Sequence, residues 1–159
     1  MEEDNLDFIF YIIALVLNNK GEILLTKRKL PINLLKLFDI PINLSNEYFW
    51  FGPIGILNKN EKREECITKA ILKETGYIAS PLEQIEDTSV FKYFNDISKS
   101  MFKITILCKV NDLNRDKNWK KPDYISEIKW INKNKIEQFI NTNIIQKWPD
   151  KMKKVLSIK

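Results

Sequence analysis

From Phe8 to Leu17 every position is apolar, with no polar residue on either alternate set. A run of that length without alternation predicts a strand covered on both faces. Asn18-Asn19-Lys20-Gly21 then punctuates the chain, and Glu22 to Lys29 predicts the returning strand of a hairpin. Leu30 to Ser45 is also apolar but is broken by Pro31 and Pro41, and it holds P-I-N-L twice, at 31–34 and 41–44. It reads as an insertion between two strands. Either it packs as a short helix on the core, or it presents an apolar surface that covers a ligand site or a partner subunit.

An aromatic strand, Phe49 to Phe51, leads into a turn containing Gly52, Pro53 and Gly55, and a polar loop follows. Between about Lys62 and Thr75, Cys66, Ile67, Ala70 and Ile71 recur at helical spacing, and Gly76 is placed to cap the helix end. Strands are expected at Gln84 to Tyr93 and Met101 to Val110, joined by a turn over Asn95 to Ser100. In the second, Phe102, Ile104, Ile106, Cys108 and Val110 share one face. A charged loop, Asn111 to Asp123, holds Trp119; a final strand, Ile125 to Ile131, precedes a helix over Lys133 to Asn141 capped by Asn132, and a terminal helix follows Pro149.

One polar residue breaks this scheme. Glu74 lies seven positions after Ile67, near the middle of the apolar stripe of its helix, so its carboxylate is aimed inward. An unpaired buried charge costs several kcal/mol, so Glu74 should be protonated, paired with a cation, or bound to a metal; the alternative is a frayed helix end that reaches water. Three of the chain's 4 glycines, Gly52, Gly55 and Gly76, lie in the same stretch, so backbone shape matters there.

The 159 residues suit one domain, 1–159, able to bury roughly 70% of its unfolded surface. A hydrophobic fraction of 44% with 30% charged residues describes an ordinary globular chain, and a net charge of +5 suits an anionic ligand such as a nucleotide or RNA. The basic end, with Lys151, Lys153, Lys154 and Lys159, reads as solvated surface. Cys66 and Cys108 sit inside a helix and a strand pattern without metal-ligand spacing, which predicts buried thiols in a reducing compartment. The Phe8 to Leu17 run is too short to span a bilayer and follows acidic residues, so a cytoplasmic location without a membrane partner is expected.

The stretch from Gly55 resembles the Nudix hydrolase box, G-x5-E-x7-R-E-U-x-E-E-x-G-U, where U is aliphatic. Gly55, Glu61, Glu74 and Gly76 match with every spacing kept, whereas Lys69, Ala70, Lys73 and Tyr77 depart from it. Two carboxylates of the pattern are thereby lost. The run Trp50-Phe51-Gly52-Pro53-Ile54-Gly55, and Asn19 to Arg28 upstream, are similar to the branch of GDP-mannose mannosyl hydrolase, which also keeps only the last box glutamate. The resemblance implies a three-layer α/β sandwich around a mixed sheet.

For activity, the resemblance implies a Mg²⁺- or Mn²⁺-dependent hydrolase of a nucleoside diphosphate linked to another moiety, a nucleotide sugar such as GDP-mannose. The metal would be held by Glu74 and the carbonyl of Ile54, beside Gly55 and Glu61. One carboxylate with waters and substrate phosphates can hold Mg²⁺. Arg28 would grip the diphosphate, as an arginine fork can. Trp50, Phe51 and Trp119 are candidates for substrate contact, with Trp119 equally suited to anchoring its own loop. The branch's glutamine and histidine fall at Tyr124 and Ile125, and the chain has 0 histidines, so Glu127 or Asp123 is left as general base. Two other classes stand beside this one: a domain that binds a nucleotide or RNA without cleaving it, favoured by Ala70 and Lys73, and an interaction protein that docks a partner through Leu30 to Ser45. Members of the superfamily are often dimers.

Overall fold

The computed structural model describes residues 6–37, 40–94, 97–136 and 138. Its centre is β1 (Leu6–Leu17), the apolar run. Alternation sends Tyr11, Ile13 and Leu15 into one buried cluster and Ile12, Ala14 and Val16 into another, on opposite faces of the sheet. Both faces are therefore covered, as continuous apolarity requires.

Along one edge β1 pairs in parallel with β6 (Ile97–Lys109), from Leu6 opposite Ser98 to Leu17 opposite Lys109. Every other pairing is antiparallel. Beyond β6 lies β5 (Ser80–Phe94), which begins earlier than the sequence predicts; β6 also starts at Ile97, inside the expected turn. On the opposite edge, β1 touches β2 (Glu22–Arg28) at Leu17 and Ile23, and then pairs with β4 (Ile54–Ile56) at Tyr11 to Ile13. The strand β3 (Phe49–Phe51) pairs with Thr26 to Arg28 on the edge of β2 that faces β1. The hairpin of β1 and β2 thus splays, and β3 and β4 fill the gap. The outer edge of β2 carries β7 (Ile125–Asn132).

The helix α2 (Arg63–Thr75) covers one face, burying Ile67 and Ile71 against Ile12, Leu24, Ile104 and Cys108. On the other face lies the insertion. Its first part is a short helix, α1 (Ile32–Leu37), and a 3-10 turn follows at Ile42–Leu44. Leu30, Leu34, Leu35 and Ile40 join the core of that face, leaving Ile32 and Ile42 exposed. Of the two readings of this segment, the short helix packed on the core holds for these residues. Helix, sheet and helix make the expected three layers.

Asn132 caps the turn at Lys133–Lys135 by accepting the Asn134 N–H at 2.9 Å. Of the expected 133–141 helix, residues 137 and 139–141 lie outside the described residues, as does the terminal helix with its lysines. Among those described, no helix is long and apolar enough to cross a membrane.

Candidate active site

The site begins with how α2 is held. Glu65 accepts the Lys62 N–H at 3.3 Å, and Glu64 and Glu65 lie in the first turn where the helix dipole favours anions. At the other end Gly76 adopts φ +81° and its N–H bonds to Leu72 O at 2.9 Å, the left-handed cap expected of glycine. Midway, the helix lies so close to β4 that a Cβ at Gly55 would meet Cys66 Sγ at 2.9 Å and Ala70 Cβ at 3.2 Å. Glycine on the strand and alanine on the helix set this approach, and it brings Glu74 against the backbone of β4.

Glu74 is 2% exposed, and it is paired with a cation. Arg28 Nη1 donates to Oε1 at 2.5 Å, and the Ile54 N–H donates to the same oxygen at 2.9 Å. The Tyr124 hydroxyl donates to Oε2 at 2.8 Å, and the Arg28 guanidinium sits 5.1 Å from the centre of the Tyr124 ring. Burial, and then the charge of Glu74, push the Tyr124 phenol above its ordinary range, so it stays a donor. Arg28 is itself buried, and its Nε has no hydrogen-bond partner among the described residues.

These groups form the floor of a cavity of about 630 Å³. Ile54, Gly55, Cys66 and Ala70 line it from β4 and α2; Lys29, Leu30 and Pro31 close it from the start of the insertion; Glu61, Lys69 and Lys73 also line it. Glu61 accepts the Asn58 N–H at 3.1 Å and faces Lys69 Nζ at 3.3 Å; the backbone bond first, and the lysine after it, hold its carboxyl below the usual range. Burial and the neighbouring Glu61 push the Cys66 thiol up to about 11. Both cysteines are buried and unbridged.

Of the residues singled out in the sequence, Arg28, Ile54, Gly55, Glu61 and Glu74 converge on this cavity. Trp50 and Phe51 do not line it: both belong to the core cluster on the face covered by α1, where β3 fills the splayed sheet. Trp119 is the loop anchor of the two roles considered. Its indole N–H donates to Lys73 O at 2.8 Å, its ring packs on Gly76, and the Arg115 guanidinium lies 4.9 Å from both the Trp119 and Tyr77 rings. Glu127 is exposed on β7, opposite Lys27, and its carboxylate faces Lys27 at 3.8 Å and Lys129 at 3.5 Å. It lies outside the cavity lining, as does Asp123. Sequence reasoning missed Tyr124 as a partner of Glu74. The signal was the pairing of β7 with β2, which sets the Lys29 N–H on Tyr124 O at 3.0 Å and so places Tyr124 beside Arg28.

The expected divalent cation does not fit this donor set as a resident ion. Three donors already occupy Glu74, and a guanidinium neutralises it. Glu61 is turned toward a lysine, and no three His, Cys, Asp or Glu side chains converge among the described residues.

The fold resembles solved structures at low identity. It matches the NUDIX hydrolase from Nitrosomonas europaea with a TM-score of 0.62 at 15% identity, over 91% of this chain and 83% of that one. It matches the MutT protein from Methanosarcina mazei Go1 with a TM-score of 0.56 at 20% identity, over 95% and 91%. A C. elegans Ap4A hydrolase aligns with a TM-score of 0.54 at 13% identity, over 84% and 86%. No curated protein sequence matches the chain. The family model of the NUDIX domain matches residues 9–153, a span that holds all of the described sheet but the first three residues of β1 and every residue of the cavity, and the chain therefore belongs to the Nudix hydrolase family.

Proposed function

We propose that this cavity takes the diphosphate of a nucleoside diphosphate linked to a second moiety, and that the chain hydrolyses the linkage. The observation that carries the reading is the buried Arg28–Glu74 pair on the floor of a cavity whose walls present Lys29, Lys69 and Lys73. Cations around a concave floor favour a polyanion, and an arginine fork can grip two phosphate oxygens at once.

Water attacking the linkage must lose a proton, and a carboxylate facing the cavity is the group suited to accept it. Glu127 points elsewhere and Glu61 is turned toward Lys69, so Glu74 takes that role; Ile54 N–H and Tyr124 hold its carboxylate in place while Arg28 turns toward phosphate. The nucleotide-sugar branch rests on the aromatic run, on Asn19 to Arg28 and on the single box glutamate, and only the aromatic run would speak for the sugar nucleotide itself. Since Trp50 and Phe51 serve the core, the wider class of linked nucleoside diphosphates is the substrate proposed.

One observation favours a second reading, binding without cleavage: both cavity carboxylates, Glu61 and Glu74, already face cations. Product release from nucleotide sugars, dinucleotides and nucleoside triphosphates, with and without Mg²⁺, separates the two. Hydrolysis that falls by about 10²- to 10⁴-fold in Glu74→Gln is expected if Glu74 accepts the proton. Ligand binding without any product would establish the second reading instead.

A further inference from the structure

The cleft departs from its family in the sign of its charge. Where the Nudix box has an arginine, a glutamate and a further glutamate, this chain has Lys69, Ala70 and Lys73, and all three line the cavity. Lys69 is spent on Glu61 and Arg28 on Glu74, which leaves the two carboxylates neutralised from within. Lys73 makes no ion pair or side-chain hydrogen bond among the described residues. Lys29 carries a further charge at the cavity wall, with its ammonium 5.6 Å from the centre of the Tyr48 ring.

An independent observation comes from Arg28. Its side chain is 4% exposed, yet its Nε–H finds no acceptor among the described residues. Buried donors are nearly always met, and an unmet one beside a cavity calls for an acceptor from outside the protein. Nε is shielded as the side chain stands, and a phosphate oxygen would supply the acceptor once Arg28 turns toward the cavity. A divalent ion arriving at the same place would find both carboxylates already paired and would meet Lys73 and Lys29, and like charges repel at short range.

We propose that this cleft binds diphosphate as the free anion, without a bridging divalent cation, and that Lys73 and the free Nε–H of Arg28 supply the positive charge a metal supplies in other members of the family. This rests on the reading of the cleft as the diphosphate site. Lys73 sits where the box pattern has a carboxylate, so a single substitution can reverse the arrangement.

The test is isothermal titration of the full-length chain with inorganic pyrophosphate and with ADP, in EDTA and again in Mg²⁺. The wild type is compared with Lys73→Gln and Lys73→Glu; Lys73 is exposed, so both variants fold, with Lys73→Glu losing only the favourable cation at the end of α2. Binding in EDTA is expected, weakened about tenfold in Lys73→Gln by loss of one charge-assisted contact. Lys73→Glu should bind more weakly still in EDTA, and Mg²⁺ should now strengthen its binding. Wild-type binding that appears only with Mg²⁺ overturns the inference and leaves the diphosphate reading standing. Unchanged affinity in Lys73→Gln overturns the part given to Lys73. No binding of either probe under any condition sinks the diphosphate reading itself, and the inference with it.

Discussion

Glu74 is the residue that most clearly joins sequence to chemistry. Its inward aim follows from helical spacing, because seven residues return to the same face after nearly two turns. Its partner could not be read that way. Arg28 lies 46 positions earlier, at the end of a strand, and reaches Glu74 only because β3 and β4 wedge the sheet open between β1 and β2. Tyr124, 50 positions later, depends likewise on the pairing of β7. A buried ion pair is costly to break on one side and much less costly to replace whole. Accordingly, Arg28→Met alone should lower unfolding free energy by about 3–5 kcal/mol, since it strands the Glu74 carboxylate in the interior. Joining it to Glu74→Leu should recover part of that loss, with a coupling of about 1–3 kcal/mol in a urea-denaturation cycle. Strictly additive losses would mean that the two side chains do not depend on each other.

At the level of elements, α2 was legible to within a residue of its start and at its end. The apolar stripe and the closing glycine agreed, and the helix runs Arg63–Thr75. What the pattern hid is how its C-terminus is sealed. The loop after β6 returns to it: Trp119 donates to Lys73 O, Arg115 Nε donates to Thr75 O at 3.0 Å, and the Asp116 N–H bonds to Gly76 O at 3.1 Å. An aromatic residue in a polar loop suits stacking on a base as well as it suits a helix end, and only tertiary structure separates the two. Gly76 is needed twice here, for its φ of +81° and because a Cβ would lie 2.8 Å from the Trp119 ring. Gly76→Ala should therefore cost about 1–2 kcal/mol for the left-handed backbone, with more for displacing the indole. A urea midpoint shift together with a change in Trp119 fluorescence would register both effects; a shift without any fluorescence change would show that the ring is not held against the cap.

Across the whole molecule, the strand that carries both cores was the easiest to foresee and the use of the insertion the hardest. An apolar run with two prolines serves a partner surface or a private core equally well in sequence. The structure divides it: Leu34 and Leu35 are 0% exposed, while Ile32 is 54% exposed. The buried half has a second consequence, because Leu30 and Pro31, just before α1, also line the cavity. Packing beneath the insertion thus sets the position of one cavity wall. Leu34→Ala should lower stability by about 2–5 kcal/mol through the space it leaves. It should also weaken ligand binding at a temperature where the variant is still folded, since the wall it supports carries Lys29. Ile32→Ser, on the open side of the same helix, should change stability by no more than about 0.5 kcal/mol and leave binding intact. If the order of the two were reversed, with the exposed isoleucine mattering more, the segment would be acting chiefly as a docking surface. The core placement of Leu34 would then count for little in what the insertion does.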